Sequence, residues 1–187
     1  PAEDASLSIL RFAEILAQAG VPDGVVNIVT GYGSDAGAAL ASHPGVDKIS
    51  FTGSTETGRR IVQASAGNLK RLQLELGGKD PTYVRADADA KVAAESLADG
   101  AMYNTGQSCC SVERIYVHQA VHDAFVDAFV REVRGLRSGA PADEATYIGP
   151  LTRAAQIAVL EAQVADAQAR GARVLTGGTW SGNRCRP

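Results

Sequence analysis

The apolar positions of this chain fall into stretches of helical spacing separated by short, β-branched runs. In residues 5–19, ASLSILRFAEILAQA, Leu7, Leu10, Phe12, Ile15 and Leu16 recur near helical spacing and predict an amphipathic helix, ended by Gly20 and Pro22. GVVNIVT, residues 24–30, is short, β-branched and flanked by glycine, which predicts a buried strand. Residues 34–43 read as a small-residue helix closed by Pro44-Gly45. DKISFTG, residues 47–53, reads as a second strand, and residues 54–66 as a helix with Ser54 or Thr55 at its N-cap. RLQLEL (71–76) is a strand, and PTYVR (81–85) is another after the Gly77-Gly78 break.

The second half continues the alternation. An Ala-rich amphipathic helix is predicted from Asp87 to Tyr103, a strand over ERIYVH (113–118) and a helix over 120–138, where Val121, Phe125, Phe129 and Val133 are spaced four apart. Residues 139–150 read as a loop, 152–170 as a helix, and ARVLTGG (172–178) as a last short strand. Strand alternating with helix is the pattern of an α/β parallel sheet with crossover helices. The Gly77-Gly78 turn interrupts two apolar strands and divides the chain into candidate domains 1–76 and 77–187.

Composition narrows the class. With 45% apolar and 21% charged residues, the chain has an ordinary globular balance. A formal net charge of -3 gives no electrostatic reason to expect nucleic acid or an anionic membrane as partner. No stretch approaches the roughly 20 apolar residues of a membrane span, and PAEDASLS has neither the basic nor the apolar region of a signal peptide. Residue 1 is Pro, and the end, TWSGNRCRP, completes no element, so we read the chain as an internal piece of a longer protein. Of three cysteines two are adjacent, a spacing that disfavours an ordinary disulfide. No CxxC occurs and the three histidines form no zinc-type spacing, so no metal site is read and a reducing cytoplasm fits best.

Four stretches carry candidate chemistry. TGYGSDAG places Gly31, Gly33 and Ala36 in a loose dinucleotide fingerprint, but the acidic residue expected after the next strand is missing, and a plain turn cluster explains it equally. FTGSTETG sets Gly53 and the Ser54 and Thr55 hydroxyls at a helix start, either an anion site or a simple N-cap. In LQLELGGKDP, Glu75 ends an apolar strand before two glycines. It is either a buried acid with raised pKa, suited to general base work, or an exposed strand-end charge. In YNTGQSCCSVER the thiols of Cys109 and Cys110 lie among hydrogen-bond donors that favour a thiolate nucleophile, although two structural cysteines remain an alternative.

Taken together and in order, PAE, ISFTGSTETG, LELGGKDP and NTGQSCC resemble the NAD(P)-dependent aldehyde dehydrogenase superfamily over essentially the whole chain to about residue 178. The resemblance implies part of a Rossmann-like NAD-binding domain in 1–76, followed by the first part of an α/β catalytic domain in 77–187. It implies that Cys109, fourth residue of Gly-Gln-x-Cys, is the nucleophile, with Cys110 a structural neighbour, and that Glu75 is the general base. Gly53, Ser54 and Gly58 match its cofactor motif, Thr52 is expected near the nicotinamide, and Leu76 and Gly33 complete the cofactor contacts. Glu3, as the end of a Lys-Pro-Ser/Ala-Glu motif, is expected to hold the adenosine ribose hydroxyls, which favours NAD over NADP.

The resemblance further implies a small aldehyde as substrate and a homo-oligomer, dimer or tetramer, as the full-length assembly. Several of its motifs are missing: the Lys before residue 1, an upstream Pro-Trp-Asn segment and a downstream Glu-x-Phe-Gly-Pro motif. The tail WSGNRCRP departs from the pattern and leaves Cys185 without a role. The expectation is NAD-dependent oxidation of an aldehyde to an acid in the full-length enzyme. Two alternatives stand beside it, an inactive fragment with at most a weak binding or assembly role and a coenzyme A-acylating aldehyde dehydrogenase.

Overall fold

Two parallel strand pairs, each joined through a helix, organise the chain. The computed structural model describes residues 1–186, and the fold divides into two units, Pro1–Gly77 and Gly78–Pro187.

In the first unit, helix α1 (Ser6–Gln18) forms where the helical spacing predicts it. Its apolar stripe lies in the open, with Leu7, Leu10, Phe12 and Ile15 all exposed. The strand predicted over 24–30 does not form: those residues are turn, bend and irregular backbone. Gly24 takes a left-handed φ of 82°, Val25 N–H turns back to the Pro22 carbonyl at 3.3 Å, and the Asn27 amide donates to the Gly24 carbonyl at 2.8 Å. β-branched residues favour a strand only where a neighbour completes the ladder, and this segment pairs with no strand among the described residues. A π-helical turn (Gly33–Gly37) and the short α2 (Ala38–Ser42) replace the single helix predicted over 34–43.

Strand β1 (Lys48–Thr52), helix α3 (Thr55–Ser65) and strand β2 (Arg71–Glu75) then make a β-α-β unit. The strands pair in parallel from Lys48↔Arg71 to Thr52↔Glu75. Ser54 caps α3, its hydroxyl accepting the Thr57 N–H at 3.1 Å, which satisfies one of the orphan donors of the first turn. The helix buries Gly58, Ile61 and Ser65, one face at helical spacing. Gly58 is there because Leu76 covers it: a Cβ at this position would lie 2.6 Å from Leu76 Cδ2. Gly58→Val should therefore destabilise this unit by about 1–3 kcal/mol, the usual cost of overpacking. Thermal unfolding checks this, and Leu76→Ala in the same chain should recover part of the loss.

In the second unit, β3 (Asp80–Val84), α4 (Ala90–Met102) and β4 (Val112–Val117) repeat the arrangement, again with parallel strands. The ladder slips between Asp80 and Pro81, where proline has no N–H to give it. Helix α4 starts at Ala90, later than predicted, because the Asp89 carboxylate caps it by accepting from Lys91 and Val92 N–H at 2.9 and 3.1 Å. Val84, Ala94, Phe125 and Ala128 form the buried centre, with Ile115, Val117 and Phe129 packed against it. Phe125, Ala128 and Phe129 come from helix α5 (His122–Gly135), which lays its apolar stripe on α4, with the Phe125 and Phe129 rings stacked at 5.6 Å.

Helix α6 (Gln156–Ala169) begins four residues later than predicted, since the Thr152 N–H is bonded to Gln107 instead. The strand predicted over 172–178 does not form. The Arg134 guanidinium takes the Leu175 carbonyl at 3.2 Å and the Thr176 hydroxyl at 3.3 Å, and Gly177 and Gly178 turn left-handed. A hairpin of β5 (Thr179–Ser181) and β6 (Arg184–Arg186) follows instead, antiparallel, with Trp180 opposite Cys185. Its two-residue turn has Gly182 at φ 59°, the first central position that a type II′ turn reserves for glycine. Among the described residues, no helix is long and apolar enough to cross a membrane.

Candidate functional site

The first unit gathers its candidate residues at the carboxyl ends of β1 and β2. Thr52 and Glu75 are register partners, and the Gly53 N–H donates to the Glu75 carbonyl at 3.0 Å. Open α/β sheets hold ligands at such strand ends, where the next helix begins. Here the next helix is α3, and Thr52, Gly53 and Ser54 lie exposed at its positive end. A Cβ at Gly53 would lie 2.5 Å from the tip of the Phe51 ring, so a side chain there would displace that ring. The Thr55 hydroxyl donates to the Leu76 carbonyl at 3.5 Å and ties the helix start to the end of β2. Beneath them the Leu76 side chain lies against Gly58.

Glu75 is exposed rather than buried. Glu3 and Gly33, 30 residues apart, are brought together: the Gly33 N–H donates to Glu3 Oε1 at 3.4 Å. The TGYGSDAG loop that supplies Gly33 follows irregular backbone, so the fingerprint lacks its strand as well as its acid.

The second unit builds the thiol loop from strained backbone. After α4, Asn104 (φ 51°) and Thr105 (φ 60°) are left-handed, followed by Gly106 at φ 69°. Thr105 is β-branched, and the left-handed region costs such a residue on the order of 1–3 kcal/mol. Tertiary bonds hold it: the Thr105 hydroxyl accepts the Gly149 N–H at 3.1 Å and donates to the Gly149 carbonyl at 3.3 Å. Gln107 fastens the next turn, its Oε1 accepting the Thr152 N–H at 2.9 Å and its Nε2 donating to the Asn104 carbonyl at 3.2 Å. Tyr103 and Ser108 join their hydroxyls in a further hydrogen bond. Thr105 and Gln107 stand out in the sequence only as polar neighbours of the thiols, and their partners Gly149 and Thr152 do not stand out at all. No local pattern announces pairs more than 40 residues apart.

At the end of this loop Cys109 and Cys110 are both exposed and unoxidised, with Sγ atoms 3.6 Å apart. Cys110 is held above the usual thiol range, chiefly by its hydrogen bond to Cys109 and by the Cys109 charge. Cys185 stands elsewhere in the unit, half-buried in β6 opposite Trp180, and burial pushes its thiol up.

Comparison with known proteins identifies the family. The sequence model of the Aldehyde dehydrogenase family matches residues 1–187. "Aldehyde dehydrogenase family 2 member C4" of Arabidopsis thaliana is 44% identical over 185 residues, 98% of this chain and 37% of that protein. Among solved structures, an NADP-dependent enzyme of E. coli is 40% identical with a TM-score of 0.97, over 100% of this chain and 40% of that one. PnpE in complex with nicotinamide adenine dinucleotide is 44% identical with a TM-score of 0.90, over 94% of this chain and 36% of that one. The chain thus spans well under half the length of the relatives it matches.

Proposed function

Because the chain belongs to the aldehyde dehydrogenase family, we propose that it supplies the thiol, the base and part of the cofactor cradle of an NAD-dependent enzyme that oxidises an aldehyde to a carboxylic acid. The activity resides in the longer protein, and the 187-residue chain alone forms no NADH. The supporting observation is the meeting of Thr52, Gly53 and Glu75 at the strand ends, where α3 begins. These residues fit a dinucleotide: Gly53 offers bare backbone, Ser54 a hydroxyl and α3 the positive end of its dipole. Thr52 lies beside them, and Glu3 with Gly33 takes the adenosine side.

The Cys109 thiolate attacks the aldehyde carbonyl carbon, and the backbone N–H of Cys109 donates to the oxyanion that forms. Bound in the cradle, NAD supplies the hydride acceptor. Cys109 then carries the acyl group as a thioester. Glu75 takes a proton from water as the water oxygen attacks that thioester, which releases the acid and frees the thiol. A coenzyme A-acylating enzyme would pass the acyl group to a thiol and would have no use for this base. The longer protein is read as a homo-oligomer in the cytoplasm.

Cofactor choice tests the reading. A carboxylate at residue 3 repels a 2′-phosphate, so the longer protein should turn over NAD faster than NADP. Glu3→Gln should raise the ratio of kcat/KM for NADP over NAD by about tenfold, equivalent to ~1.4 kcal/mol. Initial rates with each cofactor decide it. Preference for NADP in the native protein, or an unchanged ratio in the variant, overturns the assignment of Glu3.

A further inference from the structure

The segment that holds the thiol loop is itself fastened to α4 by a side-chain bond. Residues 147–152 run beside the loop as a strap, with Ile148 and Leu151 buried. The Tyr147 and Ile148 N–H groups both donate to the Arg137 carbonyl, at 2.9 and 3.0 Å, and the Gly139 N–H donates to the Ile148 carbonyl at 3.1 Å. The next backbone groups serve the loop. Gly149 meets the Thr105 hydroxyl with both its N–H and its carbonyl, and Gln107 takes the Thr152 N–H and donates to the Pro150 carbonyl at 3.5 Å. At the start of the strap the Tyr147 hydroxyl donates to the Asp99 carboxylate of α4.

We propose that Tyr147 is a positioning residue for the attack of Cys109 on the aldehyde: its bond to Asp99 locks the strap against α4, and the strap keeps the thiol loop in its left-handed turn. The inference rests on the reading of Cys109 as the nucleophile.

These bonds close a ring. Asp99 stands one turn before the end of α4 at Met102, and Thr105 lies just past that end. Tyr147 and Gly149 are near neighbours on the strap. Asp99 and Thr105 are therefore joined twice, once along their own chain and once through the strap.

The loop has need of such a brace. Asn104, Thr105 and Gly106 are left-handed in succession, at φ 51°, 60° and 69°, whereas L-residues visit this region singly. Left alone, such a run relaxes toward right-handed backbone, and the nearby Cys109 would swing with it. The direction of the thiol thus depends on what holds Thr105. A carboxylate is a stronger acceptor than a neutral group, and Tyr147 stays a donor at any working pH. Partial burial, then the Asp99 bond and charge, push its hydroxyl up to about 12.

The test is made in the longer protein. Tyr147→Phe removes one oxygen from a surface residue and leaves the ring in place. It should lower kcat for aldehyde oxidation by about tenfold, within the roughly 100-fold that a 1 Å misplacement can cost. KM for NAD should not change, because the cofactor residues belong to the first unit. Asp99→Ala should lose as much, while Asp99→Asn, whose amide oxygen still accepts the phenol proton, should keep most of the native kcat. Hydrogen exchange in peptides 103–110 and 146–152 should rise together in Tyr147→Phe and stay native in Asp99→Asn. Once Thr105→Val has cut the tie to Gly149, adding Tyr147→Phe should cost little more, whereas two independent defects would add. In an active protein, native kcat or native exchange in Tyr147→Phe, equal losses in Asp99→Asn and Asp99→Ala, or full additivity with Thr105→Val overturns the inference alone. A native protein that oxidises no aldehyde overturns the functional reading, and this inference with it.

Discussion

Replacing Cys109 with alanine in the longer protein should lower kcat for aldehyde oxidation by about 10⁴-fold or more, the scale of losing a covalent nucleophile. Cys110→Ala should leave kcat within a few-fold of the native value. The adjacent thiol is not expected to substitute, because it stands one residue past the nucleophile position of the Gly-Gln-x-Cys pattern. Steady-state NADH formation gives the kinetic comparison, and mass spectrometry of enzyme quenched with substrate shows which cysteine is acylated. An inactive Cys110→Ala with an active Cys109→Ala would reverse the assignment. The loop itself should survive either change, since its anchors are Thr105 to Gly149 and Gln107 to Thr152 rather than the thiols.

Glu75→Gln should cut steady-state turnover by about 10²–10⁴-fold, the usual contribution of a positioned general base. It should leave a first burst of NADH near one equivalent per active site. Glutamine keeps the size and hydrogen bonding of the side chain but cannot take a proton from water, so the thioester on Cys109 accumulates. The local fold should be unaffected, because the bond that ties β2 to Gly53 uses the Glu75 backbone carbonyl and not its carboxylate. Rapid-mix measurement separates burst from steady state. Loss of the burst as well would place Glu75 before thioester formation, and faster turnover of the native enzyme with coenzyme A than with water would favour acyl transfer.

Much of the candidate site was legible because it rests on local sequence. Ser54 reads as an N-cap from its place before α3, and it is one. Gly58 reads as a glycine one turn into a helix, but only the packing of Leu76 explains why it must be glycine. Glu75 reads equally as buried acid or exposed strand end, and burial depends on what surrounds a residue. The structure places it in the open. Cys109 and Cys110 are told apart in the sequence only through the Gly-Gln-x-Cys resemblance, and the structure sets their sulfurs 3.6 Å apart.

The failures have one cause. GVVNIVT and ARVLTGG have the composition of strands, and neither is one, because a strand exists only through its partner. The first turns back on itself through Gly24 and Asn27. The second gives its acceptors to Arg134, about 40 residues earlier. The hairpin that does form was signalled by Gly182-Asn183, a two-residue turn between short alternating runs, and was passed over in favour of the more apolar segment before it.

By itself the sequence determined the helices with a clear apolar stripe, the two β-α-β units and the identity of the reactive groups, since these follow from periodicity, caps and side-chain chemistry within a few residues. Tertiary structure alone decided which extended segments became strands and that Glu3 meets Gly33. It also decided how Thr105 and Gln107 hold the thiol loop in a left-handed turn. Each of these depends on groups far apart in the chain whose distance no local pattern encodes.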